Sequence, residues 1–164
     1  MNTEAAVLTT VENGIGTITL NRPQVRNALS PDMRDGLAEA VLRMRDDEDV
    51  RVVILTGAGG VFCAGGDISQ MQNPERVGMK FRAGMLELYR WFIELIDMEK
   101  PVIAAVDGPA FGAGLSLALA ADFVLATERA RFCAVFGRIG LVPDLGAMRL
   151  LPRIVGQQKA KELA

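Results

Sequence analysis

Any acid–base chemistry in this chain has to run without histidine, because its 164 residues contain none. The commonest general base and the commonest transition-metal ligand are therefore missing. A Ser-His-Asp or Cys-His device cannot be assembled within the chain. Cys63 and Cys133 are the only cysteines and form no CxxC pair, so neither zinc nor a disulfide framework is indicated and no metal site is expected. Both read as core cysteines. Proton transfer is left to carboxylates, Tyr89, lysines or water. What the chain offers instead is backbone chemistry at two glycine-rich turns. The first is Val61-Phe62-Cys63-Ala64-Gly65-Gly66-Asp67, and the second is Asp107-Gly108-Pro109-Ala110-Phe111-Gly112-Ala113-Gly114. Residues without bulky side chains let a ligand approach the main chain. Two such turns, if they converge, could aim two N–H groups at one oxygen, which is how an oxyanion is stabilised.

The elements that must position these turns follow from local patterning. Residues 7–12 and 15–20 flank Asn13-Gly14, a hairpin signal. Asn21-Arg22-Pro23 ends the second strand, and Ser30-Pro31 places an N-cap and a first-turn proline before a helix with Leu37, Ala40, Val41 and Met44 on its apolar face. Val52-Val53-Ile54-Leu55 lacks polar alternation and reads as a strand covered on both faces. Asn73-Pro74 marks a turn. Met85, Leu88, Phe92, Leu95 and Ile96 recur at helical spacing within 79–99, where Tyr89 and Trp91 read as packing residues. Residues 101–106 form another buried strand, and the small apolar run 112–121 a buried helix. Further strands are expected at 123–126 and 131–134, then a turn over 140–146 leading to a last helix. Strands alternating with helices and no repeats or low-complexity linker give one α/β domain with parallel pairing.

Composition narrows the partners. Half of the residues are hydrophobic, 23% are charged and the net charge is −2, an ordinary globular balance with nothing to attract nucleic acid or an anionic membrane. No apolar run reaches the roughly 18 residues that span a bilayer. Met1-Asn2-Thr3-Glu4 lacks the features of a signal peptide, so a cytoplasmic protein is the default expectation. Residues 157–164 read as the opening of a helix with neither a C-cap glycine nor a trailing proline, so a partial chain lacking the segment that finishes the fold is expected.

Each motif has a plainer reading. Either glycine cluster could be only a tight strand-to-helix connection. Phosphate-loop chemistry is disfavoured. Gly57-Ala58-Gly59-Gly60 is not followed by Gly-Lys-Ser/Thr, and Gly112-Ala113-Gly114 lacks the rest of a dinucleotide fingerprint. The two clusters gain weight together because each follows an apolar strand, and ligands in α/β sheets gather where strands end.

The order and spacing of Asn21-Arg22-Pro23-Gln24-Val25-Arg26-Asn27-Ala28-Leu29, Val53-Ile54-Leu55-Thr56-Gly57, Phe62-Cys63-Ala64-Gly65-Gly66-Asp67-Ile68 and Gly108-Pro109-Ala110-Phe111-Gly112-Ala113-Gly114 resemble the crotonase, or enoyl-CoA hydratase/isomerase, superfamily. Ala121-Asp122 continues the pattern. The run from Phe136 to Pro143-Asp144 is most similar to the phenylacetate-type enoyl-CoA isomerase branch. The resemblance implies a crotonase-type spiral of ββα units with stacked sheets flanked by helices. It implies an acyl-CoA thioester substrate, coenzyme A arriving as part of that substrate rather than as a separate cofactor, and trimers or pairs of trimers formed through C-terminal helices. Gly66 and Ala113 match the positions whose N–H groups hold the thioester oxygen. Arg26, Ala28, Ala64, Gly65, Asp67, Ile68, Gly112 and Ser116 match positions around the substrate and its CoA moiety, with Arg26 facing a phosphate or else standing as a solvated loop charge.

The family's hydratases carry two glutamates. The resemblance places the first at Ser116 and the second at Phe136, and neither is a carboxylate. Phenylalanine cannot move a proton, and serine without a base is a poor acid or base. Asp144 matches an aspartate of the isomerase branches, and one carboxylate suffices to take a proton from one carbon and return it to another. Its plainer reading is a Pro-Asp turn capping the next helix. Ser116 either takes part or simply packs. Double-bond isomerisation is therefore expected. Hydration, thioester hydrolysis or decarboxylation, and non-catalytic acyl-CoA binding stand as alternatives.

Overall fold

A computed structural model describes residues 5–71 and 78–164. The expected Asn73-Pro74 turn lies outside them. Strands β1 (Val7–Glu12) and β2 (Ile15–Leu20) pair antiparallel across Asn13 and Gly14, both at positive φ as a tight hairpin turn requires. Ser30 accepts a hydrogen bond from the Met33 N–H and so caps helix α1 (Pro31–Asp46), which buries Met33, Leu37, Ala40, Val41 and Met44. The Lys100 ammonium donates to the Met44 carbonyl near the end of this helix, satisfying an acceptor the helix cannot pair internally.

Strand β3 (Val52–Gly57) follows, then the short helix α2 (Ile68–Met71) and the long helix α3 (Gly78–Ile96). Strands β4 (Val102–Val106) and β5 (Pro109–Phe111) lead into helix α4 (Ala113–Leu119). Strands β6 (Phe123–Ala126) and β7 (Arg131–Cys133) precede helices α5 (Ala147–Val155) and α6 (Gln157–Leu163). The main sheet has the order β1-β2-β3-β4-β6, with every pair after the hairpin parallel. A second layer holds β5 against β7, also parallel, and is extended by single bridges between Cys63 and Ala110 and between Leu29 and Gly66.

The chain therefore winds as a spiral. After leaving β2, β3, β4 and β6 in the main sheet, it contributes a second short extended piece to the other layer. Those second pieces are the site-bearing segments. The core under them is one continuous apolar cluster that includes Ile18, Leu20, Leu55, Phe62, Phe92 and Leu117. Burying a side chain of this size is worth about 1.5–3 kcal/mol.

Two expectations need correction. β3 is not covered equally on both faces: Val53 and Leu55 are buried, whereas Val52 and Ile54 are half-buried. β5 is an additional strand inside what the sequence presents as a glycine-rich turn. β6 forms as expected, but as an edge strand whose four residues are all exposed. Among the described residues, no helix is long and apolar enough to cross a membrane.

Candidate active site

The two glycine-rich turns converge. The Cys63 N–H donates to the Pro109 carbonyl and the Phe111 N–H to the Cys63 carbonyl, both at 2.9 Å, so the turns are laced together by their own backbones. The approach is close enough to need glycine at two points. A Cβ on Gly114 would lie 2.2 Å from the Cys63 carbonyl oxygen, and one on Gly65 would lie 2.7 Å from the Phe111 oxygen and 3.5 Å from the Ala113 nitrogen. Gly65 also sits at φ +98°, a conformation that disfavours any side chain. Gly66 and Ala113 are brought to the wall of one cavity of about 510 Å³. Within the described residues, the N–H of neither donates a hydrogen bond. For Ala113 the reason is positional: it is the first residue of α4, and first-turn N–H groups have no partner within their helix.

The segment carrying Arg26 runs beside the first turn. The Ala64 N–H donates to the Arg26 carbonyl at 3.0 Å and the Leu29 N–H to the Gly65 carbonyl at 2.8 Å. Asn27, fully buried, holds this segment to the loop after β3. Its amide donates to the carbonyls of Ala58 (3.1 Å) and Val61 (2.7 Å), and its oxygen accepts from the Arg22 N–H (2.7 Å). Cys63 lies beneath, fully buried, donating to the Asn27 carbonyl at 3.1 Å; burial pushes its thiol pKa up to about 12. The thiol is thus a packing group rather than a nucleophile.

Much of the remaining lining is apolar. Met85 and Leu88 come from α3, Val135, Phe136 and Ile139 from a 3₁₀ turn after β7, and Leu141, Val142 and Leu145 from the loop before α5. Among the described residues, four charged ones line the cavity: Arg26, Arg34, Asp67 and Asp144. Arg34 donates from Nε to the Ser30 carbonyl at 3.4 Å. Asp67 caps the start of α2, accepting from the Ser69 hydroxyl at 2.6 Å and the Ser69 N–H at 3.0 Å.

Asp144 differs. Its Oδ1 is buried without a hydrogen-bond partner among the described residues, and burial raises its carboxyl pKa from the ordinary value. The plainer reading of this residue holds only for its backbone. Its carbonyl accepts from the Ala147 N–H at 2.9 Å, but α5 begins after Gly146 with no side-chain cap. Asp144 itself lines the cavity.

Of the other residues singled out from the sequence, Arg26, Ala64, Gly65, Asp67, Ile68 and Gly112 line the cavity. Ala28 and Ser116 do not. Ala28 is half-buried beside the first turn, and Ser116 is fully buried inside α4, with its hydroxyl donating to the Asp144 carbonyl at 3.0 Å. Ser116 therefore contacts the segment that bears the carboxylate rather than the space a substrate would fill. Arg34 was not singled out. Its only local signal is a cation in the first turn of α1, four residues beyond an N-cap serine.

Residues 10–164 match the family model for enoyl-CoA hydratase/isomerase. The chain is 41% identical over 162 residues to a 1,2-epoxyphenylacetyl-CoA isomerase of Escherichia coli, covering 96% of this chain and 61% of that protein. It is 43% identical over 155 residues to a probable enoyl-CoA hydratase of Mycobacterium tuberculosis, covering 94% of this chain and 60% of the relative. A crystal structure of an enoyl-CoA hydratase/isomerase from Cupriavidus metallidurans superposes with a TM-score of 0.88 at 42% identity, over 99% of this chain and 61% of that one. The chain thus spans about three fifths of the length of these relatives. The crotonase-type spiral expected from the sequence is the fold found.

Proposed function

Because the chain belongs to the enoyl-CoA hydratase/isomerase family, we propose that it is an acyl-CoA isomerase that shifts a double bond, with Asp144 as the single acid–base group and the N–H groups of Gly66 and Ala113 as the oxyanion hole. The observation that carries this reading is a buried carboxyl oxygen of Asp144, without a partner among the described residues, in the residue that lines the same cavity as two backbone donors unspent within those residues. A 3-enoyl thioester bound there loses a proton from C2 to the Asp144 carboxylate. The C–H electron pair moves into a dienolate whose negative thioester oxygen accepts from the two N–H groups. The protonated carboxyl then returns the proton to C4, leaving the 2-enoyl product. Donors already aimed at the developing charge are worth about 10²–10³ each in rate. A carboxyl whose pKa is raised toward the working pH is a better base than an ordinary one. Coenzyme A enters as part of the substrate, with Arg26 at the cavity edge as a cation for its phosphates.

Isomerisation is favoured over hydration by the composition of the cavity wall. Hydration needs water to be both activated and protonated. Of the two carboxylates that line the cavity among the described residues, Asp67 is already held by Ser69, and Phe136 presents a buried ring where a second acid would be wanted. The test is deuterium exchange. A 3-enoyl-CoA incubated in D₂O should isomerise with deuterium entering the acyl chain, and Asp144→Asn should slow this by about 10²–10⁴. Vigorous hydration of crotonyl-CoA would overturn the isomerase reading, and release of free CoA would indicate hydrolysis. Binding of a CoA ester with neither isomerisation nor exchange would mark a non-catalytic binder.

A further inference from the structure

The carboxylate that this reading depends on sits on a backbone that does not hold its own shape. Leu145, the next residue, is at φ +44°, a left-handed conformation that costs a branched residue about 1–2 kcal/mol. Such a residue persists only where its surroundings over-determine it. Here the surroundings are specific. The Leu145 side chain is fully buried. The peptide group joining Asp144 to Leu145 is engaged at both polar ends by side-chain hydroxyls from separate helices. Its carbonyl accepts from Ser116 Oγ of α4 at 3.0 Å, and its N–H donates to Tyr89 Oη of α3 at 3.3 Å. A buried serine in a helix commonly bonds back to the carbonyl four residues earlier. Ser116 has that option at Gly112, but at the longer distance of 3.4 Å. The single hydroxyl proton is therefore better placed for the Asp144 carbonyl, outside its own helix.

The position of Ser116 matters as much as its bond. It lies three residues after Ala113 in the same short helix, so the element that presents one backbone donor also fixes the base-bearing peptide. Neither Ser116 nor Tyr89 lines the cavity. We propose that Ser116 and Tyr89 are positioning residues, which clamp the Asp144–Leu145 peptide from α4 and α3 and so set where the Asp144 carboxyl stands relative to the Ala113 N–H. The proposal rests on the acid–base assignment of Asp144 made above. It extends that assignment by naming what aims the group.

Tyr89→Phe, Ser116→Ala and the double variant test it, with two readouts. The first is kcat for deuterium entry from D₂O into a 3-enoyl-CoA, and the second is the Kd of a saturated acyl-CoA measured by calorimetry. Displacing a catalytic group by about 1 Å costs on the order of 10²-fold; the clamp needs both hydroxyls, so loss of either should release most of the displacement that the pair prevents and cost about 10-fold in kcat. The saturated ligand should bind within about twofold of wild type, because neither hydroxyl meets the cavity. The double variant should fall no more than about threefold below the slower single, because both hydroxyls act on one peptide. Wild-type kcat in Tyr89→Phe overturns the clamp, as do parallel losses of kcat and binding, or single effects that simply multiply. Tyr89→Phe keeps the ring and carries the test alone if Ser116→Ala does not fold. Asp144→Asn, run beside them, separates the two ideas. Exchange that survives it refutes the acid–base assignment. Exchange lost in Asp144→Asn but untouched in Tyr89→Phe and Ser116→Ala refutes the clamp alone.

Discussion

The convergence of the two turns can be tested by adding one carbon. In Gly114→Ala the new methyl would lie 2.2 Å from the Cys63 carbonyl oxygen, 2.8 Å from the Cys63 Cβ and 2.9 Å from its carbonyl carbon. All three are closer than a folded protein tolerates, and the neighbour is mostly backbone, which cannot swing aside as a flexible side chain would. The carbonyl must retreat by about 0.8 Å to reach even 3.0 Å. That same carbonyl accepts the Phe111 N–H bond that laces the turns together. The retreat therefore weakens the lacing and moves the Gly66 donor away from the Ala113 donor. Overpacking of this kind costs about 1–3 kcal/mol of stability. A misplacement approaching 1 Å at a reacting centre costs on the order of 10² in rate. Gly114→Ala should therefore lower kcat for deuterium exchange about 100-fold while melting at a moderately reduced temperature. Gly84→Ala is the control. A Cβ there meets no described atom within 4 Å, and replacing glycine by alanine inside α3 should leave kcat unchanged and stability equal or raised by about 0.5–1 kcal/mol. A folded Gly114→Ala with wild-type kcat would refute the argument that contact between the turns sets the spacing of the donors.

The remaining predictions concern the groups around that contact. Asn27→Ala removes three hydrogen bonds and strands two carbonyls under a fully buried side chain; it should destabilise by about 3 kcal/mol, near 10 °C in Tm, and a loss under about 1 kcal/mol would sink the account. Asp144 has a folded-state pKa raised by burial, so its contribution is greatest at low pH, is lost as pH rises above the unfolded value of about 4, and is fully gone above the raised folded value. Asp144→Asn should therefore gain stability relative to wild type across that window and hold the gain at higher pH, and urea titrations showing a constant difference from pH 3 to 8 would contradict the burial argument. Cys63, fully buried with its thiol pushed up to about 12, should resist iodoacetamide in the folded chain at pH 8, leaving the half-buried Cys133 as the site of any single mass increment; native labelling of Cys63 would show that the first turn opens.

Local chemistry made most of the scaffold legible. The Asn13-Gly14 hairpin, the Ser30-Pro31 helix start and the apolar stripe of α3 each follow from signals within a few residues and formed where expected, except that Ile96 at the end of the stripe is exposed. The failures share a physical cause, which is dependence on distant partners. β5 is three residues long and is a strand only because β7 lies beside it, 22 residues further on by its register. β6 forms at 123–126 as expected, but nothing in its residues marks it as an edge strand with Phe123 61% and Leu125 63% exposed. No periodicity encodes position in a sheet. The hydroxyls of Ser116 and Tyr89 meet the Asp144–Leu145 peptide across 28 and 56 residues, so the sequence could offer each only as a packing residue or a doubtful participant.

Asp144 shows how much of a site a motif can carry. A Pro-Asp turn before a helix is satisfied equally by a capping carboxylate and by one that leaves the turn, and the two are indistinguishable as letters. The fold divides them by atom: the carbonyl takes the Ala147 N–H, and Oδ1 of the carboxyl is buried with no partner among the described residues. Left to stability alone, a carboxylate at this place would be better capping α5, whose first turn has no side-chain cap, than being buried in the wall of a largely apolar cavity. Leu145 adds a second unfavourable feature, a branched residue held at positive φ. Two local violations at adjacent residues, facing a cavity with two unspent N–H donors on its wall, are the pattern expected where a fold gives up local stability to present a reactive group. The stability of Asp144→Asn and its activity should therefore move in opposite directions. A variant that lost both would point to a structural carboxylate and away from a proton carrier.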